Sequence, residues 1–449
     1  MHTRPTLLSR RRFMQLVAAT AAPLALAACA APTAAPGGGE AAAPAGEKVA
    51  VRFIAMDYDS RMQPDTQEVV DAFNASQDKI EAALEVVKWS EGATVIRTQM
   101  SAGQPPDIFN QGGGQLLEYQ AADEVEALND LMGQDFLANF WQSGIDAMSV
   151  DGKLYGMPYF LDPRGLYYRS DLFEEKGLNP PETWADVREA AMALHNPPTL
   201  YGFGLGVSGP SGSNDYWWYA WAGAIGGGNN LSRWGENGES LIGNEAGVRA
   251  VQFMADLTLT DQTTNPSPVN TGRDEDLQPL FLAGQLAMLE TGSWMPTILM
   301  HDAPDVKFEL APLPVAEAGM AHANVFWPDA VLMAKGSQHK PEAAELLMFM
   351  FNAENRLAFA KQRGVIPERV DVGQDPAYLD PADPVSKYNA IFVKELEHSH
   401  NVFETPWPAS GEADNTETLN GVAKVLLGEA SVEEAMTAAA AAIDARHGL

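Results

Sequence analysis

Three kinds of side chain in this sequence of 449 residues could grip a small polar molecule. Carboxylates stand at Asp57, Asp59, Asp107 and Asp162, with a phenol at Tyr58, an amide at Gln111 and a guanidinium at Arg363. Indole rings stand at Trp89, Trp217, Trp218, Trp294, Trp327 and Trp407. A flat ring stacks on the C–H face of a pyranose-like ring, while carboxylates, amides and guanidinium groups exchange hydrogen bonds with its hydroxyls. Patterns for covalent or metal chemistry are weaker. Gly206-Val207-Ser208-Gly209-Pro210 lacks the final glycine of a nucleophile elbow. His398 and His400 lack the spacing of a helical metal pair and lie among acids. Gly112-Gly113-Gly114 is not followed by Lys-Ser/Thr and lacks dinucleotide-binding spacing, so it is no phosphate cradle. No catalytic residue, cofactor or metal is expected. Two alternatives stay open: the acids could receive a cation, and paired carboxylates could hydrolyse glycosides.

The elements that must position these groups read as alternating strands and helices. Val49–Ala55 is an apolar strand, followed by a helix over 64–74, a second strand over 83–88 closed by Trp89, a helix over 93–102, and a third strand after the Gly103–Asp107 turn. Such alternation predicts an α/β lobe with a mainly parallel, doubly wound sheet. Ligands bind past the carboxyl ends of such strands, which places Met56–Ser60, Trp89 and Asn110–Gly114 around one crevice. Further along, an apolar run over 154–160 is broken at Asp162-Pro163 and resumed over 165–169. Proline cannot donate to a central ladder, so the break reads as a chain leaving one sheet for another. A strand over 323–334 recrosses. The expected organisation is two discontinuous lobes, 48–161 with 328–372 and 162–327 with 373–449, joined by a hinge of three crossings. Trp141 and Trp184 are assigned to packing, Trp184 because it opens a helix at Thr183-Trp184-Ala185-Asp186.

The crossing segment also carries a resemblance. DGK-x-YG-x-P from Asp151, an aromatic pair before DLF at Asp171, and GL-x-PPETW over Gly177–Trp184 together resemble the sugar-type extracellular solute-binding proteins of ABC importers, over about thirty-five positions. Asp107 in PPDIF, Leu280–Met288, Gly292-Ser293-Trp294 and Arg363–Arg369 resemble further segments of that family. The resemblance implies a periplasmic-binding-protein-like fold whose two lobes close over a sugar or oligosaccharide and deliver it to a membrane permease, without catalysis. It implies a role near the ligand for Asp107, a stacking role for Trp294 and a donor role for Arg363. On residue type alone the alternatives are a turn aspartate, a packing ring and a surface arginine. The chain departs from the family at Phe326-Trp327-Pro328, where a glycine pair is expected; the bulky rings either narrow the site or form a platform. Other solutes remain as alternatives: a polyol phosphate, a polyamine or a metal.

The first residues fix where the molecule works. Ser9-Arg10-Arg11-Arg12-Phe13 precedes a short apolar stretch, Leu16–Ala28, which is the arrangement of an export signal rather than a membrane helix. Its arginines resemble the twin-arginine signal, with a general secretory signal as the alternative. Leu26-Ala27-Ala28-Cys29 resembles a lipobox, so Cys29 is the expected lipidation site and the anchor to the outer face of the cytoplasmic membrane. It is the chain's one cysteine, which excludes an internal disulfide and a cysteine-ligated zinc site. Ala30–Glu47, rich in Ala, Pro and Gly, reads as a tether. The net charge is −31; removal of the first 28 residues, with four arginines and no acid, leaves −35. That charge argues against nucleic acid as a partner and for a soluble body, expected to be a monomer. A sensor in place of the permease is the other partner such a body could serve.

Overall fold

β1 (Val49–Asp57) is apolar on both faces, as a strand covered on both sides must be, and its residues Val51 and Phe53–Met56 are buried. It pairs parallel with β2 (Ile80–Lys88) over its whole length and with β3 (Ile108–Gly112) on the other side. The computed structural model describes residues 48–57, 61–207, 215–225, 232–272, 276–396, 399–402 and 405–449, without the side chains at 160, 215–219, 408 and 412. The export signal, Cys29 and the Ala/Pro/Gly stretch lie outside these residues, as do Tyr58, Asp59 and His398. Glu47–Leu449 form one compact unit.

After each parallel strand a helix begins: Met62–Ser76 after β1, Trp89–Ser101 after β2 and Gly113–Ala121 after β3. Trp89 therefore opens a helix rather than closing a strand. Two short strands, β4 (Ser149–Val150) and β5 (Lys153–Leu154), form a hairpin around Asp151-Gly152, both with positive φ.

β6 (Gly156–Pro163) then leaves this body. β7 (Gly165–Tyr168) lies in a second sheet between β8 (Met288–Thr291) and β9 (Glu309–Ala311), antiparallel to both. β8 and β9 thus run parallel to each other, and isolated parallel bridges at Tyr201↔Leu286 and Phe203↔Thr264 extend that direction. β10 (Asn324–Met333) is the return strand, buried throughout. One edge of β10 carries β6. The other carries β3 along Asp329–Met333 and β11 (Ser399–Asn401) along Asn324–Phe326. The first sheet is thus parallel along β2, β1 and β3, with β10 and β11 running the other way, whereas the second departs from the mainly parallel sheet expected: β7 pairs antiparallel with both of its neighbours.

Proline in β10 has a physical explanation. Leu161 sits opposite Pro328, yet its N–H goes to Ile366 O at 3.4 Å, away from β10. That pair exchanges no bond, so the missing N–H of Pro328 faces the gap between β11 and β3, where no partner is lost. The buried hydrophobic side chains form two clusters. One spans Val51–Tyr159 and Ala330–Val365; the other spans Leu166–Trp327, Ile366 and Tyr388–Ile443. The chain passes between them along β6, along β10 and at Val365-Ile366. Among the described residues no helix is long and apolar enough to cross a membrane.

Candidate functional site

The register of β6 and β10 defines where the two sheets face each other. Gly112, the last residue of β3, lies opposite Asp329, and β10 continues past it through Trp327 and Phe326 beside Asp162 and Pro163. The carboxyl ends of β1, β2 and β3 therefore point toward the second cluster. β8 ends at Thr291, opposite Gly165 at the start of β7, so its carboxyl end points back toward the same crossing. The candidate crevice is the space past these two sets of strand ends, with β6 and β10 crossing beneath it.

On the first wall, Asp57 is exposed at the end of β1, opposite Lys88. Trp89 is half-buried, and its Cζ2 lies 3.6 Å from where a Cβ on Gly112 would stand; Gln115 Oε1 and Asp329 Oδ1 lie 2.9 and 3.5 Å from the same point. Glycine at 112 lets these three side chains converge. Gln111 is 3% exposed and its Nε2 has no hydrogen-bond partner, so a buried donor stands beside the crevice without its bond.

The floor is charged and aromatic. Asp162 and Arg164 form a buried ion pair, and Asp162 Oδ1 accepts from Ser293 N at 3.2 Å. The Arg164 guanidinium carbon lies 4.4 Å from the Trp327 ring centre and 5.0 Å from that of Trp294. Trp294 Nε1 donates to Gln278 Oε1 at 3.2 Å, and the ring packs against the first cluster although it belongs to the loop after β8. The backbone is tied as well: Arg164 N donates to Asn324 Oδ1 at 3.3 Å, and Asn324 Nδ2 donates to Arg164 O at 2.8 Å and to Glu395 Oε2 at 2.7 Å. In the second sheet Glu290, on β8, is 6% exposed, and burial pushes its carboxyl up to about 8.

Asp57, Trp89, Gln111, Asp162, Trp294 and Trp327 thus belong to strand ends or crossings that border one crevice. Of the other expected residues, Asp107 and Trp407 do not join them, while Arg363 stands near the carboxyl end of β1 with its charge already paired. Asp107 precedes β3, at the opposite end of the sheet; its Oδ2 accepts from Arg52 N at 2.8 Å and its Oδ1 from Ser337 Oγ at 2.5 Å, so it ties strands together. Arg363, 5% exposed, is committed to Asp65 Oδ2 at 3.3 Å, in the first turn of the helix after β1. Trp407 stacks on His447 at 4.2 Å and 5° and donates to Gly238 O at 2.9 Å, within the packing of the C-terminal helix Val432–His447. Trp217 and Trp218 lie on helix Asp215–Ile225, their side chains outside the described residues. Trp184 packs as expected, stacked on Phe253 at 4.4 Å behind a Thr183/Asp186 capping box.

Sequence reading missed Arg164, Asp329, Gln278 and Glu290. Arg164 had a signal: residues i and i+2 of an extended chain share a face, so Asp162 and Arg164 were a foreseeable pair. Glu290, an acid at the end of the apolar run Leu286–Leu289, had one too. Among the described residues no group of three or more His, Cys, Asp or Glu side chains is placed to hold a metal ion.

Comparison with known proteins adds three findings. The family model of bacterial extracellular solute-binding proteins matches residues 59–357. A binding protein of Brucella abortus is 30% identical over 337 residues, 74% of this chain and 79% of its own, and the galactooligosaccharide-binding protein of Bacillus subtilis is 21% identical over 80% of this chain and 86% of its own. Among solved structures, the ABC substrate-binding protein of Listeria monocytogenes in complex with cycloalternan superimposes with a TM-score of 0.76 at 23% identity, covering 90% of this chain and 100% of that one. The chain shares the two-lobed fold of that structure.

Proposed function

The chain belongs to the bacterial extracellular solute-binding proteins, a family of binding proteins, and from that premise we propose that it captures a sugar or oligosaccharide between its two lobes and delivers it, unaltered, to an ABC permease. The observation that carries the reading is the state of the floor. Arg164 is already matched by Asp162 and by two indole faces, so the buried cation at the crevice floor is engaged before a ligand arrives. An anionic ligand such as a polyol phosphate would need guanidinium donors held ready for it. What borders the crevice instead is indole surface at Trp89 and Trp294, the Gln111 Nε2 donor, and carboxylates at Asp57 and Asp329. That set suits an uncharged polyhydroxylated ring. The galactooligosaccharide-binding relative and the cycloalternan complex support the same class.

The lobes are assigned to 48–161 with 328–372 and 162–327 with 373–449; the first two boundaries lie on β6 and β10, where the chain passes between the hydrophobic clusters, and the third lies a few residues beyond the passage at Val365-Ile366. Ligand drives closure only through contacts stronger in the closed state, and residues offered from both walls meet that condition. The rings of Trp217 and Trp218 are assigned to the second wall. Tyr58 and Asp59, next to Asp57, are assigned to the first. Export follows from the family, and a lipid on Cys29 would tether a monomer near its permease, raising its effective concentration there.

Thermal melting and intrinsic tryptophan fluorescence against maltotriose, galacto-oligosaccharides, chitobiose, glycerol 3-phosphate, spermidine and zinc test this reading. A ligand that binds the folded state alone raises stability by about 2.7 kcal/mol at a hundredfold excess over Kd. A saturable upward shift with one carbohydrate, lost in Trp294→Ala, is expected. A shift with the phosphate or a cation alone would overturn it.

A further inference from the structure

Arg164 follows the Asp162-Pro163 break, where β6 hands over to β7, and its side chain is 3% exposed. A buried guanidinium persists only where charge and geometry are matched, and three passages of the chain supply the match. Asp162 pairs with it from β6, Trp327 covers it from β10, and Trp294 covers it from the loop after β8. Trp327 is the register partner of Asp162, so the ladder itself fixes those two side by side. Trp294 is held from another direction by Gln278. The space between them is full. A methyl added at Gly292 would lie 2.1 Å from Trp294 Cζ3, 2.4 Å from Arg164 Nη1 and 2.5 Å from Asp162 Oδ1.

A planar guanidinium can lie over two rings at once, whereas an ammonium is a point charge without a stacking plane. The plane of Trp294 is therefore constrained by the guanidinium that packs against both it and Trp327. We propose that Arg164 is a positioning residue for solute capture: it orients Trp294 so that the ring presents its remaining surface to the ligand at a fixed angle. Its charge is not offered to the ligand. The inference rests on the reading that Trp294 touches the solute.

The test is a double-mutant cycle on the whole protein, with Arg164→Lys, Trp294→Ala and the pair, titrated calorimetrically with maltotriose and with a galacto-oligosaccharide. Acrylamide quenching of tryptophan fluorescence without ligand is measured alongside. Arg164→Lys keeps the charge and loses the plane; it should weaken binding about tenfold and raise quenching. In the Trp294→Ala background the same change should cost nothing further, because the residue acts through that ring. The neutral pair Asp162→Asn/Arg164→Met is the second variant should lysine prevent folding, and it should also raise quenching. Wild-type affinity in Arg164→Lys, or a loss that adds in full to that of Trp294→Ala, would overturn the proposal. If the wild-type protein takes up neither sugar, the carbohydrate reading fails by itself. Quenching then decides the role of Arg164, and quenching unchanged from wild type overturns it.

Discussion

Replacing Glu290 by glutamine should stabilise the protein at neutral pH and do little at pH 4.5. The side chain lies on β8 opposite Leu166, 6% exposed, and burial pushes its carboxyl from the ordinary 4.5 up to about 8. At pH 7 the folded protein therefore keeps this proton, while the unfolded chain has released it. Folding must take a proton up, and stability falls as pH rises from 4.5 until the folded group itself ionises near 8. Each pH unit in that window is worth about 1.4 kcal/mol, so the cost at pH 7 is about 3 kcal/mol. An amide has nearly the shape of the neutral acid and never ionises. For a unit of roughly 400 residues, unfolding entropy near 2.1 cal/mol/K per residue turns about 3 kcal/mol into a Tm gain of about 3–4 °C. Differential scanning calorimetry of wild type and Glu290→Gln at pH 4.5, 6, 7 and 8 measures it. A gain that grows with pH is expected. A gain equal at every pH, or a loss at pH 7, would refute the reasoning by showing that the carboxylate is charged and satisfied in the fold.

Three further outcomes follow from the floor and its surroundings. Asp162→Asn leaves Arg164 buried without its counter-charge and should cost about 3–5 kcal/mol, read as a lowered denaturant midpoint at unchanged slope. Gly292→Ala places a methyl against Trp294, Arg164 and Asp162 and should cost about 2 kcal/mol or more by overpacking, with solute affinity falling in parallel. Trp407→Ala removes the His447 stack and the Gly238 bond; it should lower stability by about 2 kcal/mol in melting experiments while calorimetric solute affinity stays within about twofold.

Local pattern carried the first sheet, because β1 is an apolar run and β2 mixes apolar residues with Glu81, Glu85 and Lys88 as an edge strand does, and each is followed by a helix. The helix start at Thr183 was legible for the same reason: its chemistry is complete within a few residues, and a Thr183/Asp186 capping box forms there. The Asp162-Pro163 break marked a crossing, yet it hid that Pro163 ends β6 in register with Phe326. What the floor does was not legible. Arg164 gains its role from Trp294 and Trp327, which only the β10 register and the loop after β8 bring to it. Asp107 illustrates the opposite error. It stands before β3, not after it, and so falls at the end of the sheet away from the crevice. Trp407 sits in an aromatic stretch without periodicity, so its stack on His447 depends on the C-terminal helix that closes the second cluster.

Isothermal titration of the protein with maltotriose, galacto-oligosaccharides and chitobiose, with chromatography of the sugar after incubation, tests the central claim most directly. The account predicts saturable one-to-one binding of one of them, recovered intact and weakened by Trp294→Ala. Sugar returned as shorter products, or binding confined to an anionic or cationic solute, would contradict it.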